Sequence, residues 1–127
     1  MYNQRVIDEF RNPQNAYEMP DADCVGEVGG PECGDIMRVY LKIKDGIVTD
    51  ASFLTFGCAS AIATSSIATR LVKGKTIAEA LKVTNKQVVD ELGELPAQKY
   101  HCSVLAEEAI KDAIDNYYKA NPHLKTA

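Results

Sequence analysis

The chain has 127 residues, 46% hydrophobic and 25% charged, the balance of one compact domain that buries a core without disulfide staples. A net charge of −4, with no run of lysines or arginines, argues against a nucleic-acid binder. No apolar stretch approaches the ~18 residues of a membrane span. The opening "MYNQRVIDEF" lacks the apolar segment of a signal peptide, so a cytoplasmic location is expected.

Val6, Ile7 and Phe10 share one helical face in "YNQRVIDEFRNP", and the helix should stop at Asn12-Pro13. "QNAYEMPDADCVGEVGGPECG" follows, rich in Gly, Pro and acidic residues and without period. It reads as a mobile loop or a loosely paired edge, with Cys24 an exposed free thiol. In "DIMRVYLKIKDGIVTDASFLTFG" the apolar Met37, Val39, Leu41 and Ile43 alternate, Asp45-Gly46 makes a tight turn, and Ile47 to Phe56 returns. "CASAIATSSIATRLVKG" is a helix of small residues capped by Gly74. Thr76 with Glu79, and Thr84 with Gln87, have capping-box spacing. In the last helix Leu105, Ala109, Ala113 and Tyr117 form a row flanked by Ile110 and Ile114, with Ser103 as its expected N-cap. Phe53, Tyr117 and Tyr118 read as packing residues. The fold class is α+β: a small antiparallel sheet covered by helices on one side. A single domain spans 1–127, with the N-terminal helix and loop at 1–34 and the core at 35–127.

Three of the four cysteines fall at element ends. Cys33 precedes the first strong strand, Cys58 follows its partner and opens a helix, and Cys102, beside His101, stands at the start of the last helix. An antiparallel hairpin brings Cys33, Asp35 and Cys58 to one sheet edge. Helix N-termini favour thiolates. If the last helix starts at the same edge, Cys102 and His101 complete a set of soft donors with one carboxylate. Such a set suits zinc or an iron–sulfur cluster, and the hard oxygen of Asp35 would make the hold on a cluster weak. For a lone aspartate, a plain turn role is the default alternative.

"CGDIM", "TFGCASAIATSS", "VKGKTIAEAL" and "HCSVLAEEAIKDAI" resemble, in that order, the IscU/NifU N-terminal family of iron–sulfur scaffold proteins. The resemblance covers nearly the whole chain. It implies a three-stranded antiparallel sheet with helices on one face, an IscU/SufE-like fold. It also implies a scaffold that takes persulfide sulfur from an IscS/NifS-type cysteine desulfurase, combines it with Fe2+, and hands the cluster to acceptor apoproteins. Carried over by position, the ligands are Cys33, Cys58 and Cys102, with Asp35 or His101 as the remaining candidate. Cys102 is the implied persulfide acceptor. The cluster is expected as [2Fe–2S], with [4Fe–4S] as the alternative, on a monomer or bridging a homodimer; Zn2+ can take the same donors when no cluster is present. "LPAQK", 95–99, departs from the LPPVK that a DnaK-type chaperone grips in bacterial IscU proteins, which counts against that partner. A zinc-bound sulfurtransferase of the SufU kind is the alternative reading, and the insertion of that branch between the second and third cysteines is missing here.

Overall fold

The computed structural model describes residues 4–13, 15–29, 36–56, 59–83, 85–92 and 100–121; within these, the side chains at 6, 56, 59, 60, 85, 92 and 100–103 are outside the description. In chain order the elements are α1 (Gln4–Arg11), β1 (Cys24–Gly29), β2 (Ile36–Lys44), β3 (Ile47–Phe56), α2 (Ala59–Val72), α3 (Ile77–Ala80), α4 (Asn85–Leu92) and α5 (Tyr100–Ala120). The strands form one antiparallel sheet in the order β1-β2-β3. The three-stranded α+β architecture is therefore as expected.

The period-2 pattern sets the sheet's two faces. Met37, Val39, Leu41 and Ile43 are buried towards the helices together with Val48, Ala51 and Phe53. Asp45 and Gly46 both adopt positive φ, 54° and 76°, the turn whose twist matches that of the strands it joins. α2 lies on β3 and α5 on β1 and β2, and the two helices pack against each other. Small residues make that closeness feasible: Ala61, Ala63 and Ala68 of α2 and Ala106, Ala109 and Ala113 of α5 are all buried. Gly74 ends α2 at φ 80°. Thr76 caps α3 through its side chain, and the Glu79 carboxylate accepts from the Thr76 N–H at 3.0 Å, completing the expected box. Thr84, half of the second expected box, lies outside the described residues.

Of the two readings of the aperiodic stretch the paired edge holds and the mobile loop does not, since all six residues of β1 pair with β2, from Cys24 with Leu41 to Gly29 with Ile36. Two expectations change. Cys24 is buried at 7% exposure, so it is not an exposed thiol. The last helix starts at Tyr100, which puts Ser103 inside its first turn rather than at its cap. No glycine or proline falls between Lys99 and Ser103, so nothing in the sequence delays the helix to Ser103.

The segment before β1 is held by backbone and side-chain bonds in place of periodicity. Asn15 O accepts from Phe53 N–H at 2.9 Å on the outer edge of β3. Tyr17 Oη donates to Asp50 at 3.1 Å, Lys42 pairs with Asp21, and Asp23 Oδ2 accepts from Ile43 N–H at 2.7 Å. These contacts carry the segment across the face opposite the helices, where Tyr40 and Ser52 are buried. The amphipathic α1 rests on α2, with Ile7 half-buried and Phe10 exposed. No helix among the described residues is long and apolar enough to cross a membrane.

Candidate functional site

Cys33, Asp35 and Cys58 lie outside the described residues. His101 and Cys102 belong to the first turn of α5, with their side chains outside the description. The elements around them form a frame that leads to these positions.

Gly29, Ile36 and Phe56 mark one end of the sheet: Gly29 is the partner of Ile36, and Ile36 of Phe56. Cys33 precedes Ile36 by three residues, and Cys58 follows Phe56 by two. α2 begins at Ala59 and finishes at the opposite end, where Gly74 N–H donates to Val48 O at 2.7 Å. Its N-terminus therefore points to the Gly29 end.

The direction of α5 follows from two contacts. Asn116 Nδ2 donates to Val25 O at 2.7 Å, and Asp112 Oδ2 accepts from Glu27 N–H at 3.0 Å. Four helical residues rise about 6 Å and two strand residues about 6.6 Å, so α5 runs antiparallel to β1 at nearly the same pace. From Asp112 back to Cys102 is about 15 Å of helix, whereas from Glu27 to Gly29 is only about 7 Å of strand. The backbone at Cys102 thus stands roughly 8 Å beyond the end of β1. Two helix N-termini and the open ends of three strands converge there. Amide N–H groups unpaired within the first helical turn, and the helix dipole, favour thiolate over thiol at such places.

Cys24 is at the other end of β1, about 17 Å from Gly29. Burial, and then the charge of Asp23, push its thiol up to about 12. It carries no disulfide. Its burial and raised pKa make it an inert core residue. Among the described residues no group of three or more His, Cys, Asp or Glu is placed to hold a metal. A concavity of about 360 Å³ lined by Arg5, Glu9, Arg70 and Glu91 is occupied by helix-to-helix bonds. There Arg70 pairs with Glu9 at 3.0 Å, Ser66 Oγ donates to Glu9 at 2.9 Å, and Arg5 donates to Glu91 O at 3.1 Å.

Gly26, Asp112 and Asn116, which tie α5 to β1, were not singled out from the sequence. A faint signal is present: a glycine inside a strand marks close approach of another backbone, and Asp112 and Asn116 are one helical turn apart.

Residues 1–123 match the family model of the NifU-like N-terminal domain. The chain is 54% identical over 121 residues to the iron–sulfur cluster assembly scaffold protein IscU 1 of Archaeoglobus fulgidus, covering 95% of this chain and 79% of the relative. It is 49% identical over 120 residues to the scaffold protein IscU of Haemophilus influenzae, covering 91% and 94%. The crystal structure of the N-terminal NifU-like protein of Brucella abortus superposes with a TM-score of 0.73 at 24% identity, over 92% of this chain and 94% of that one. A SufU-type protein of Fervidobacterium islandicum superposes at 0.74 with 20% identity, over 89% and 96%. At those identities the two structures speak for the fold.

Proposed function

The chain belongs to the NifU-like N-terminal domain family, and from that premise we propose that it is a scaffold on which iron–sulfur clusters are built and from which they are passed on. The observation that carries this reading is the convergence at one end of the sheet. The chain positions leading to Cys33 and Cys58 leave from paired residues, Ile36 and Phe56, and the N-terminus of α5, with Cys102, stands over them. Relatives about half identical over nearly the whole chain are named scaffold proteins of cluster assembly, which supports the same function here.

In this reading Cys33, Cys58 and Cys102 hold the cluster as thiolates, and Asp35 is the fourth donor, with His101 the alternative donor or the group that holds or moves a proton. The Cys102 thiolate attacks the terminal sulfur of a desulfurase persulfide; the desulfurase sulfur leaves as thiolate, and Cys102 becomes the persulfide. Turning that sulfur into bridging sulfide takes two electrons, which an external reductant supplies. The cluster is cargo, [2Fe–2S] in our assignment, and the protein itself performs no turnover chemistry. An oxygen donor binds iron–sulfur iron less well than a thiolate, so Asp35 keeps the cluster transferable. The partners are a cysteine desulfurase and acceptor apoproteins, in the cytoplasm.

The test is anaerobic assembly with desulfurase, L-cysteine and Fe2+, followed by addition of an apo-acceptor. A visible cluster that moves to the acceptor is expected. Stable zinc with persulfide relay and no iron chromophore would instead indicate a sulfurtransferase.

A further inference from the structure

The contact between α5 and β1 is keyed at three points. A Cβ on Gly26 would lie 2.2 Å from Ala109 O and 2.4 Å from Ala113 N, so strand backbone sits directly on helix backbone. The same face of β1 also carries Cys24 and Val28. A slip of the helix along the strand would bring one of those side chains to a place where only a hydrogen fits. At the strand's free edge, Asp112 takes the Glu27 N–H and Asn116 gives to the Val25 carbonyl.

The apolar part of this contact does not fix the register strongly. The buried face of α5 is Ala106, Ala109, Ile110, Ala113 and Ile114, mostly small and alike, and hydrophobic burial has no direction. Hydrogen bonds do have direction, and the two here lie one helical turn apart against alternate strand residues. What they fix matters because Cys102 sits at the far end of this helix, ten residues from Asp112.

We propose that Asp112 and Asn116, together with Gly26, are positioning residues: they lock α5 to β1 in one register and so set the height of Cys102 beyond the end of the sheet. This rests on the scaffold reading, in which Cys102 must meet donors entering from the strand ends. The two side chains act through the helix and touch neither sulfur nor iron. They also close the free edge of β1 against pairing with another strand.

A metal-free readout tests this. In a Cys58→Ser background, dibromobimane becomes fluorescent on bridging two thiols and reports the approach of Cys33 and Cys102. Asp112→Ala with Asn116→Ala should lower the bridging rate about tenfold, because small misplacements of reacting groups are costly in rate. Single-thiol alkylation of Cys102 should stay within about twofold, since only geometry changes. Asp112→Asn, which keeps an acceptor oxygen, should restore bridging, and Asp115→Ala on the exposed side should match the parent. If the double variant fails to fold by circular dichroism, Asn116→Ala alone is read in the same way, with about a threefold drop expected. Unchanged bridging in a folded variant overturns the positioning role. No bridging in the parent, although each thiol alkylates singly, overturns the cysteine site itself and the positioning role with it.

Discussion

Replacing Gly26 with alanine tests the packing of the whole domain. At an ordinary strand position this change stabilises by about 0.4–1 kcal/mol, because the unfolded chain loses freedom. Here the added carbon would stand 2.2 Å from Ala109 O and 2.4 Å from Ala113 N, both backbone atoms that no rotamer change can move. Carbon–oxygen contacts settle near 3.3 Å or more, so α5 would have to retreat by roughly 1 Å. A gap of that size forfeits a quarter to a half of each dispersion contact along its length. Ala106, Ala109, Ile110, Ala113 and Ile114, all at 1% exposure or less, would share the loss. Overpacking of this kind costs about 3 kcal/mol. With a urea m value of about 1.5 kcal/mol/M, the midpoint should fall by about 2 M at unchanged m. Gly46→Ala is the companion, since nothing lies within 4 Å of its added Cβ and only its φ of 76° resists. It should cost about 1–2 kcal/mol. A Gly26→Ala protein as stable as the parent would refute the backbone-on-backbone contact.

Thr76→Ala removes the side-chain half of the α3 cap, the acceptor for Glu79 N–H, and should cost about 1 kcal/mol by urea denaturation, with Thr76→Ser close to the parent. Cys24 keeps its proton up to about 12 in the native state, whereas the unfolded chain releases it near its ordinary value. The stability it contributes is therefore full below about pH 8.5 and is lost as pH rises from there towards about 12. Urea midpoints at about pH 8 and about pH 10.5 should diverge less in Cys24→Ala than in the parent; equal divergence would contradict the burial of this thiol. Native protein should also alkylate slowly at Cys24, reaching full labelling only in denaturant. Asp35→Cys, which puts a thiolate where the weaker oxygen donor stands, should still assemble a cluster but pass it to an acceptor about tenfold more slowly, measured by the acceptor's absorption, and unchanged transfer would assign Asp35 to a turn.

The hairpin was legible because its evidence is local. Met37, Val39, Leu41 and Ile43 alternate, and Asp45-Gly46 takes the positive φ that only a few residues tolerate. The α2 stop at Gly74 and the Thr76 box are local in the same sense. β1 was legible only as one of two readings, a loosely paired edge, since what stabilises "CVGEVG" comes from far along the chain. Its edge is closed by Asp112 and Asn116, 85 and 91 residues away, and its inner face is fitted to α5 by the missing side chain of Gly26. Cys24 was misread: in an aperiodic stretch a cysteine looks exposed, whereas in a strand facing a helix it is core. Ser103 has the chemistry of a cap, but the helix extends back to Tyr100, which cap chemistry alone does not reveal. Of the site, the order of the cysteines and their places at element ends were readable. The direction of α5, which brings Cys102 to the same end as the strand termini, needed the contacts at Val25 and Glu27.

The most direct test of the account is cluster formation read on three single variants. Under anaerobic conditions, with cysteine desulfurase, L-cysteine and Fe2+, the protein should develop an iron–sulfur absorption and Mössbauer spectrum. Cys33→Ser, Cys58→Ser and Cys102→Ser should each abolish that spectrum or render it short-lived, whereas Cys24→Ala should leave it intact. A spectrum of undiminished yield and lifetime in all three serine variants would contradict the assignment of the site to this end of the sheet.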